Sequence, residues 1–350
     1  MREDKSNRIL TGWMIYNLED YKKNEAYYNM HKEKGVKYNL DIQLILVECL
    51  SFGIKNNRRF VTYNGEDIHL PDFVIMRSRY SLISKQLELL DIPVYNNSFV
   101  SEICNNKAKA YQLLSNNGID IIDTEFVSAS TINQYIYNNV SNQHMESDAS
   151  IEDKIIKSVD GHGGTEVYLL KDYIDLLTHN NKSNATCTIN NVYDNKSIGH
   201  NITNQTDLTD NTSIKNIQLK DMVIQPLIKG DNKDVRVYVL NNKIIGAVLR
   251  QGKNSFKSNY SLGGEVSLYN LSPSEVSIVN KIISIFNNYT KNYYIQGLFY
   301  VGIDFIIDDS GKFLFNEIED VVGSRMLYQV SDIDIVDVYL KEIQDRLKLQ

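Results

Sequence analysis

The chain of 350 residues contains, near its C-terminus, two strand-like segments that carry three acidic side chains. Asp304 lies in the first segment, and Glu317 and Glu319 lie in the second. Ser310 and Gly311 between them fit a two-residue hairpin turn, and counting outwards from that turn places Asp304 opposite Glu317. Because side chains alternate along a strand, Glu319 is then on the same face. The sequence therefore predicts an antiparallel hairpin with three carboxylates on one face.

Like charges opposite one another destabilise a sheet, so this face requires a compensating cation. A set of oxygen ligands suits Mg²⁺, and the candidate ligands are Asp304, Glu317 and Glu319. The alternative is an exposed hairpin with solvated acids and a different turn register.

A second candidate site follows a strand-like segment in the middle of the chain. Lys157 lies near the end of this segment, and Gly161, Gly163 and Gly164 follow it. Glycines allow backbone N–H groups to approach phosphate oxygens, and the lysine adds a positive charge. The spacing matches neither the Walker A nor the dinucleotide-binding pattern. A plain hairpin turn is the alternative, with His162 as a solvent-facing loop residue.

Basic residues form a third candidate site. Alternation along a strand places Asp234 and Arg236 on one face, and Arg250 ends the next strand. The stretch 250–264 would hold cations over a charged ligand, whereas a surface loop of solvated Lys and Arg is the alternative. With Lys107, the three candidate sites together describe one phosphate site, because phosphoryl-transfer sites distribute charge in this way.

The hydrophobic pattern divides the chain into three parts. Residues 1–104 alternate strand-like and helical segments, which is typical of an α/β domain. Residues 105–226 form a small central α/β lobe with polar stretches at 138–150 and 180–216, which we interpret as surface insertions. Residues 227–350 are rich in strands and end in a helix. Among the predicted elements are strands at 12–17, 41–47 and 72–76 and helices at 81–90, 106–116, 274–288 and 333–347.

The composition argues against several classes of protein. With 37 Lys and Arg against 44 Asp and Glu, the formal net charge is −7, which argues against a nucleic-acid or membrane-coating protein. No apolar run approaches the length of a membrane span, and the N-terminal residues lack the apolar segment of a signal peptide, so a cytoplasmic location is expected. The three separated cysteines and six scattered histidines fit a reducing compartment without a zinc site.

These motifs, in this order, resemble the ATP-grasp superfamily, in particular the branch that contains glutathione synthetase and the ribosomal-protein glutamate ligase. The resemblance runs from Asn105 to the C-terminus, and residues 1–104 are similar to the family's pre-grasp domain. It implies an ATP-grasp fold that combines α/β and α+β parts. These are an N-terminal pre-grasp α/β domain, a small central lid lobe and a C-terminal β-rich lobe.

The resemblance also implies roles for individual residues. Those expected to bind ATP, the last five through the adenine hinge and the D-x-R-V motif, are Lys107, Lys157, Gly161, Gly163, Gly164, Gln225, Pro226, Leu227, Asp234 and Arg236. Arg250 and Asn259 are the expected catalytic residues, and Asp304, Glu317 and Glu319 are the expected metal ligands.

Two departures from the family pattern put the substrate in doubt. Glu319 replaces the usual Asn, and 320–323 replaces a turn of small residues and Pro that in the family helps to shape the acceptor side. Arg325 follows directly, and it would either bind a substrate carboxylate or pair with Asp332 or Asp334.

The resemblance implies an ATP-dependent carboxylate–amine ligase that uses Mg²⁺, with two ions expected and Mn²⁺ as a substitute. Its substrates would be a small-molecule carboxylate and an amine, such as an amino acid or a peptide. A homodimer is the expected oligomer. The alternatives are an ATP-dependent small-molecule kinase on the same fold and a nucleotide-binding module without catalysis.

Overall fold

The structure of the protein is a computed structural model, and it describes residues 8–141, 151–163, 166–183, 219–228, 233–252 and 265–348. The chain forms two compact units. The first consists of residues 1–123, 162–165 and 228–350, and the second of residues 124–161 and 166–227. Within the described ranges, no helix is both long and apolar enough to cross a membrane.

Strands and helices alternate through most of the described chain. The strands are β1 (Leu10–Tyr16), β2 (Leu40–Leu46), β3 (Leu50–Lys55), β4 (Arg58–Tyr63), β5 (Glu66–Asp67), β6 (Phe73–Met76), β7 (Val94–Tyr95), β8 (Glu125–Val127), β9 (Lys154–Ser158), β10 (Val167–Leu169), β11 (Met222–Pro226), β12 (Lys233–Leu240), β13 (Lys243–Gln251), β14 (Glu265–Leu268), β15 (Tyr300–Ile307) and β16 (Phe313–Glu319). The helices are α1 (Leu18–Gly35), α2 (Ser81–Glu88), α3 (Ser98–Cys104), α4 (Lys107–Leu114), α5 (Ile132–Ser141), α6 (Leu170–Ser183), α7 (Pro273–Tyr289), α8 (Arg325–Val330) and α9 (Ile335–Lys348).

A parallel sheet with the strand order β2-β1-β6-β7 forms the N-terminal part of the first unit. Its strands confirm the predicted α/β pattern, whereas helix α1 and the small antiparallel sheet β3-β4-β5 were not predicted. Strands β1 and β6 pack tightly at Gly12, where a Cβ atom would lie 2.1 Å from the ring of Phe73. Because the two strands are parallel, their carboxyl ends lie side by side, and Arg77 directly follows β6.

An antiparallel sheet with the order β14-β13-β12-β15-β16 forms the C-terminal part of the first unit. Helix α7 confirms the helix predicted at 274–288, and its start is fixed by a capping box. The Ser272 side chain accepts a hydrogen bond from the Glu275 backbone, and the Glu275 side chain accepts one from the Ser272 backbone at 2.7 Å.

The two sheets of the first unit share one hydrophobic core. Met14 and Phe73 of the parallel sheet belong to the same buried cluster as Tyr300 and Leu340 of the C-terminal part. Asn96 adds a polar connection, because its Nδ2 donates to the Tyr300 carbonyl at 2.8 Å and its Oδ1 accepts from the Tyr300 N–H at 2.9 Å. The N-terminal and C-terminal parts therefore fold as one unit.

The second unit is built on an antiparallel sheet with the order β10-β9-β11-β8. Its core joins Ile156 and Ile224 of the sheet to Ile132 of α5 and Leu170 of α6. This core fixes β9 and β11, which carry Lys157 and Gln225.

Candidate active site

The β15–β16 hairpin places Asp304 opposite Glu317, as predicted, but through a different turn. The predicted two-residue turn at Ser310 and Gly311 is wrong. Ile307 pairs with Phe313, so that the strands are joined by a five-residue loop.

Two local features produce this geometry. In the loop, Asp308 Oδ1 accepts a hydrogen bond from the Lys312 N–H at 2.8 Å, and Gly311 adopts a φ of 80°, which glycine tolerates. Next to Asp304 the register shifts by one residue, and Asn316 becomes the extra residue of a β-bulge. The bulge cancels the difference in the turn and restores the predicted pairing of Asp304.

Two buried arginines on neighbouring strands, Arg236 of β12 and Arg250 of β13, bind Asp304. The register of β12 with β15 places Arg236 opposite Asp304, and the register of β12 with β13 places Asp234 opposite Arg250. Arg236 donates from Nε and Nη2 to the two oxygens of Asp304, both at 2.7 Å. Arg250 donates from Nη2 to Asp304 and to Asp234, both at 2.7 Å. We call Arg236 and Arg250 the strand arginines.

The strand arginines determine the ionisation of Asp304. Burial alone would raise the pKa of this carboxyl group, but the charges of Arg236 and Arg250 and their hydrogen bonds hold the pKa well below its usual value. Burial would likewise lower the pKa of Arg236, but Asp304 and Glu319 raise it well above its usual value. The buried group is therefore a network of charged side chains, and it contains the compensating cations that the sequence required.

The other two acids of the hairpin each lie near a cation. Glu319 Oε2 is 2.9 Å from Arg236 Nη1, and Glu317 Oε2 is 3.5 Å from Nζ of Lys107, the first residue of α4. Asn106 caps the start of α4 with its side chain and so fixes the position of Lys107. The side chains of Glu317 and Glu319 are 29% and 22% exposed, so solvent reaches both.

The fit of this group to Mg²⁺ differs among its acids. Among the described residues, no three His, Cys, Asp or Glu side chains are grouped so that they could hold a metal ion. Asp304 is buried and receives three hydrogen bonds from the strand arginines. Glu317 and Glu319 are part-exposed, and Mg²⁺ is usually bound by one or two carboxylates together with substrate phosphates. These two residues therefore fit the ion, and Asp304 as a ligand stays a prediction.

Lys157 and the glycines that follow it were predicted to bind phosphate. Lys157 lies in β9 and is 5% exposed. A Cβ atom at Gly161 would lie 2.9 Å from a carboxylate oxygen at the flexible end of the Glu166 side chain, whereas Gly163 has a φ of 61°, so the turn favours glycine at Gly163. His162 between them is exposed, as predicted.

Gln225, near the end of β11, carries a buried polar atom without a partner. Its Nε2 donates to Thr124 Oγ1 at 2.8 Å, whereas its Oε1 is buried and forms no hydrogen bond. The Leu227 N–H donates to the carbonyl of Asp153 at 2.6 Å, and Pro226 has no N–H. The side-chain oxygen of Gln225 is therefore an unsatisfied acceptor that a ligand N–H group could meet.

Arg325 is exposed at the start of α8. The alternative pairing with Asp332 or Asp334 is not formed, and Asp334 instead binds Lys34. A role for Arg325 in binding substrate stays a prediction. The remaining predicted features lie outside the described residues, namely Gly164, the part 253–264 of the predicted basic loop, which includes Asn259, and the insertion residues 142–150 and 184–216.

A second group of buried polar residues was not predicted from the sequence. Arg77 and Arg79 follow β6, Tyr16 ends β1 and Asp320 follows β16. Each has a buried polar atom without a hydrogen-bond partner, namely Nε of both arginines, the hydroxyl of Tyr16 and Oδ1 of Asp320. Ligands of open α/β sheets bind at the carboxyl ends of the strands, and that rule could have identified the Arg-Ser-Arg segment. We call Arg77 and Arg79 the loop arginines.

The charges of the loop arginines are compensated in part. Arg77 is buried, and its Nη2 donates to the carbonyls of Val321 and Val322 at 3.5 and 3.2 Å. Arg79 Nη1 lies 3.6 Å from Asp20, and the side chain of Arg79 is 27% exposed. Among the described residues, no carboxylate lies within ion-pair distance of Arg77.

Asp320 is a buried acid in the same group. Burial raises the pKa of Asp320 to about 6, while the polar side chains of Ser101 and Asn105 and the positive charge of Arg79 act in the opposite direction. Asp320 forms no ion pair with either loop arginine, so opposite charges lie near one another without direct contact.

Comparison with known proteins identifies the fold. Residues 187–343 match the model of the RimK-like ATP-grasp domain family. The uncharacterized protein MG011 of Mycoplasma genitalium is 24% identical over 336 residues, which are 95% of this chain and 91% of that protein. A probable alpha-L-glutamate ligase of Vibrio atlanticus is 22% identical over 335 residues, 93% of this chain and 94% of the relative.

Solved structures agree with this result. The D-cycloserine synthetase DcsG has a TM-score of 0.61 at 10% identity and covers 96% of this chain and 99% of its own. The ATP-grasp ligase PsnB, complexed with a phosphomimetic variant of a minimal precursor, Mg and ADP, has a TM-score of 0.57 at 15% identity, with 97% and 100% covered. The predicted superfamily, branch and fold class are confirmed, and the relatives support the predicted class of ATP-dependent carboxylate–amine ligation.

Proposed function

Because the chain has the ATP-grasp fold with a RimK-like domain, we propose that it is an ATP-dependent carboxylate–amine ligase. The observation that carries this proposal is the register of β12, β15 and β16. It brings Arg236, Asp304 and Glu319 together, and Lys107 lies beside Glu317 on the same hairpin. Such a fixed arrangement of cations and carboxylates suits a site that handles a polyphosphate.

The proposed reaction has two steps. A carboxylate oxygen of the first substrate attacks the γ-phosphorus of ATP, the bond from this phosphorus to the β–γ bridging oxygen breaks, and ADP leaves. The nitrogen of an amine then attacks the acyl carbon and loses a proton. The bond from that carbon to the phosphate oxygen breaks, phosphate leaves with the bonding electrons, and the product is an amide.

These steps require positioning and charge stabilisation, with no covalent nucleophile on the protein. Arg250 is held by Asp234 and Asp304, and its Nη1, which donates to neither, would stabilise negative charge on the acyl phosphate. Glu317 and Glu319 would hold Mg²⁺, which when bound neutralises charge on phosphate groups. The strand arginines would keep the sheet face rigid while the substrates react.

Several finer roles stay predictions. Two metal ions, replacement by Mn²⁺, a homodimer and a cytoplasmic location are among them. So is nucleotide binding by the residues carried over from the family, namely Lys107, Lys157, Gly161, Gly163, Gly164, Gln225, Pro226, Leu227, Asp234 and Arg236.

The names of the relatives and neighbours suggest which substrates to test first. Several relatives are probable alpha-L-glutamate ligases, so L-glutamate is the first amine to test. A neighbouring ligase was solved with a precursor peptide, which makes peptides a second class.

ADP formation tests the proposal directly. The purified protein is incubated with ATP, Mg²⁺ and pairs of carboxylates and amines drawn from amino acids and short peptides, and products are identified by mass spectrometry. We expect ADP formation that requires both partners and an amide product. A stable phosphorylated product formed without an amine would identify a kinase instead, and ATP binding without ADP formation in any pair would identify a binding module.

The Glu317→Gln variant tests the proposed metal ligand. We expect turnover to fall by about 10²-fold or more, because charge stabilisation at the phosphates is lost. Asp309→Asn is the matched control, since Asp309 is an exposed acid in the loop of the same hairpin, and its turnover should be unchanged. Undiminished turnover in Glu317→Gln would remove the metal assignment.

A further inference from the structure

We propose that the loop arginines and Asp320 form the binding site for an amino-acid substrate. The guanidinium groups of Arg77 and Arg79 would bind the carboxylate of the amino acid, and Asp320 would bind its amino group. This inference rests on the proposed ligase function and adds to it the location and chemical class of one substrate.

The first observation is the concentration of unsatisfied polar atoms. In the described part of the chain, seven buried polar side-chain atoms lack a hydrogen-bond partner, and four of them belong to Tyr16, Arg77, Arg79 and Asp320. Buried polar groups are nearly always paired in folded proteins, so four such atoms in one place indicate a missing partner. Donors and an acceptor both remain unpaired, which fits a ligand that carries both kinds of group.

The second observation is the charge on Arg77. Arg77 is 6% exposed, and its contacts with the carbonyls of Val321 and Val322, at 3.5 and 3.2 Å, are longer than charge-assisted hydrogen bonds. A buried cation normally requires an anion. A ligand carboxylate would supply that anion, and arginine binds carboxylates in a bidentate manner.

The third observation is the separation of the charges. Asp320 precedes Val321, whose carbonyl accepts from Arg77, yet Asp320 forms no ion pair with either arginine. A ligand with a carboxylate at one end and an ammonium group near it would connect the two. An amino acid has this arrangement, whereas an acid without an amino group would leave Oδ1 of Asp320 without a partner.

The fourth observation is access. Arg79 is 27% exposed and so connects the buried group with solvent. Gly323 is exposed, and a Cβ atom there would meet no heavy atom within 4 Å, so open space adjoins the segment that carries Asp320. Asp320 directly follows Glu319, a proposed metal ligand, so the backbone that carries Asp320 adjoins the end of the strand that carries the proposed metal site.

Calorimetric titration of the full chain with each of the twenty protein amino acids, in the presence of ADP and Mg²⁺, tests the site. We expect at least one to bind, and we expect Arg77→Met to raise its Kd by about 10-fold or more because a charge-assisted contact is lost. Asp320→Asn should weaken the binding of this amino acid more than the binding of its analogue in which hydrogen replaces the amino group. Arg58→Met, at an exposed arginine of β4, is the control and should leave Kd unchanged.

The outcomes separate this inference from the proposed function. No binding by any of the twenty, or an unchanged Kd in both Arg77→Met and Arg79→Met, would overturn the site. If Arg77→Met does not fold, the result for Arg79→Met decides alone. Arg79 has a part-exposed side chain, so its replacement should disturb folding less. Amino-acid binding without ADP formation would retain the site and overturn the ligase function. ADP formation with an unchanged KM for the amino acid in both Arg77→Met and Arg79→Met would overturn the site alone.

Discussion

The first unit contains two pairs of arginines that differ in how far nearby carboxylates compensate their positive charges. The strand arginines, Arg236 and Arg250, donate to the buried carboxylates of Asp304 and Asp234. Arg77 of the loop arginines is equally buried but has two backbone carbonyls as its hydrogen-bond partners, and Arg79 lies near a part-exposed acid.

The contrast between the two pairs shows how a buried charge can be interpreted. Transfer of an ion from water into the protein is costly unless a counter-charge and hydrogen bonds replace the water. The strand arginines meet this requirement within the chain, so they are a permanent part of the sheet. The loop arginines would obtain their counter-charge from a bound anion. The identity of the partners, more than burial, therefore distinguishes an arginine with a structural role from one that binds a ligand.

The largest expected effect comes from removing the carboxylate charge that pairs with the strand arginines. Asp304→Asn leaves two buried guanidinium groups beside an uncharged partner, so the free energy of unfolding should fall by about 3–5 kcal/mol. Urea unfolding followed by circular dichroism measures this loss.

Glu317→Gln is the control for that measurement. Glu317 is part-exposed and its contact with Lys107 is at 3.5 Å, so its loss should lower the free energy of unfolding by less than about 1 kcal/mol. An equal loss in the two variants would mean that the buried network contributes no more than a surface ion pair, and the contrast between the two arginine pairs would fail.

The pairing of Asp304 with Glu317 shows how far the sequence allowed prediction. Alternation and a turn between two strand-like segments were sufficient to place these acids opposite one another. The pairing register next to the predicted turn was nevertheless wrong by one residue, and the bulge at Asn316 compensates for this shift. A bulge depends on how the ladder fits its neighbours, so no local pattern in the hairpin indicates it.

The partners of the acids were beyond prediction for a different reason. The sequence required a cation near Asp304, but Arg236 lies 68 residues away and reaches it through the pairing of β12 with β15. Arg77 meets the carbonyl of Val322 across 245 residues. Hydrophobic periodicity predicts single strands and helices, whereas contacts of this kind depend on which strands become neighbours.

His31 gives a second, smaller test, because it responds to the charge on Arg77. It is 1% exposed in α1, and burial lowers its pKa to about 3; the bond to the carbonyl of Tyr27 opposes this shift, and the positive charges of Arg77 and Lys34 add to it. Since this pKa is below the unfolded value of about 6.5, the unfolded state binds a proton first as the pH falls. Stability is therefore full above about pH 6.5 and decreases below it.

Between about pH 6.5 and pH 5, this effect should lower the free energy of unfolding by about 2 kcal/mol. Urea titrations of the wild type and His31→Gln at both pH values measure it, and the variant should lose less stability on acidification. In Arg77→Met the decrease should level off at a higher pH than in the wild type, because removal of a nearby positive charge raises the folded-state pKa of His31. The same pH dependence in wild type and His31→Gln would show that His31 is not held neutral by the fold.

The smallest expected effect is the one that decides between the two arginine pairs. Arg77→Met removes a buried charge with no carboxylate partner and loses its long contacts to the carbonyls of Val321 and Val322. Replacement of a poorly paired buried ion by an apolar side chain of similar volume is often neutral, so the free energy of unfolding should change by less than about 1 kcal/mol. The same substitution in the strand pair, Arg236→Met, should cost about 3–5 kcal/mol because Asp304 stays buried with one partner fewer. Equal losses from the two substitutions, measured by urea unfolding, would make the loop arginines structural and would remove the reason to expect an anion beside them.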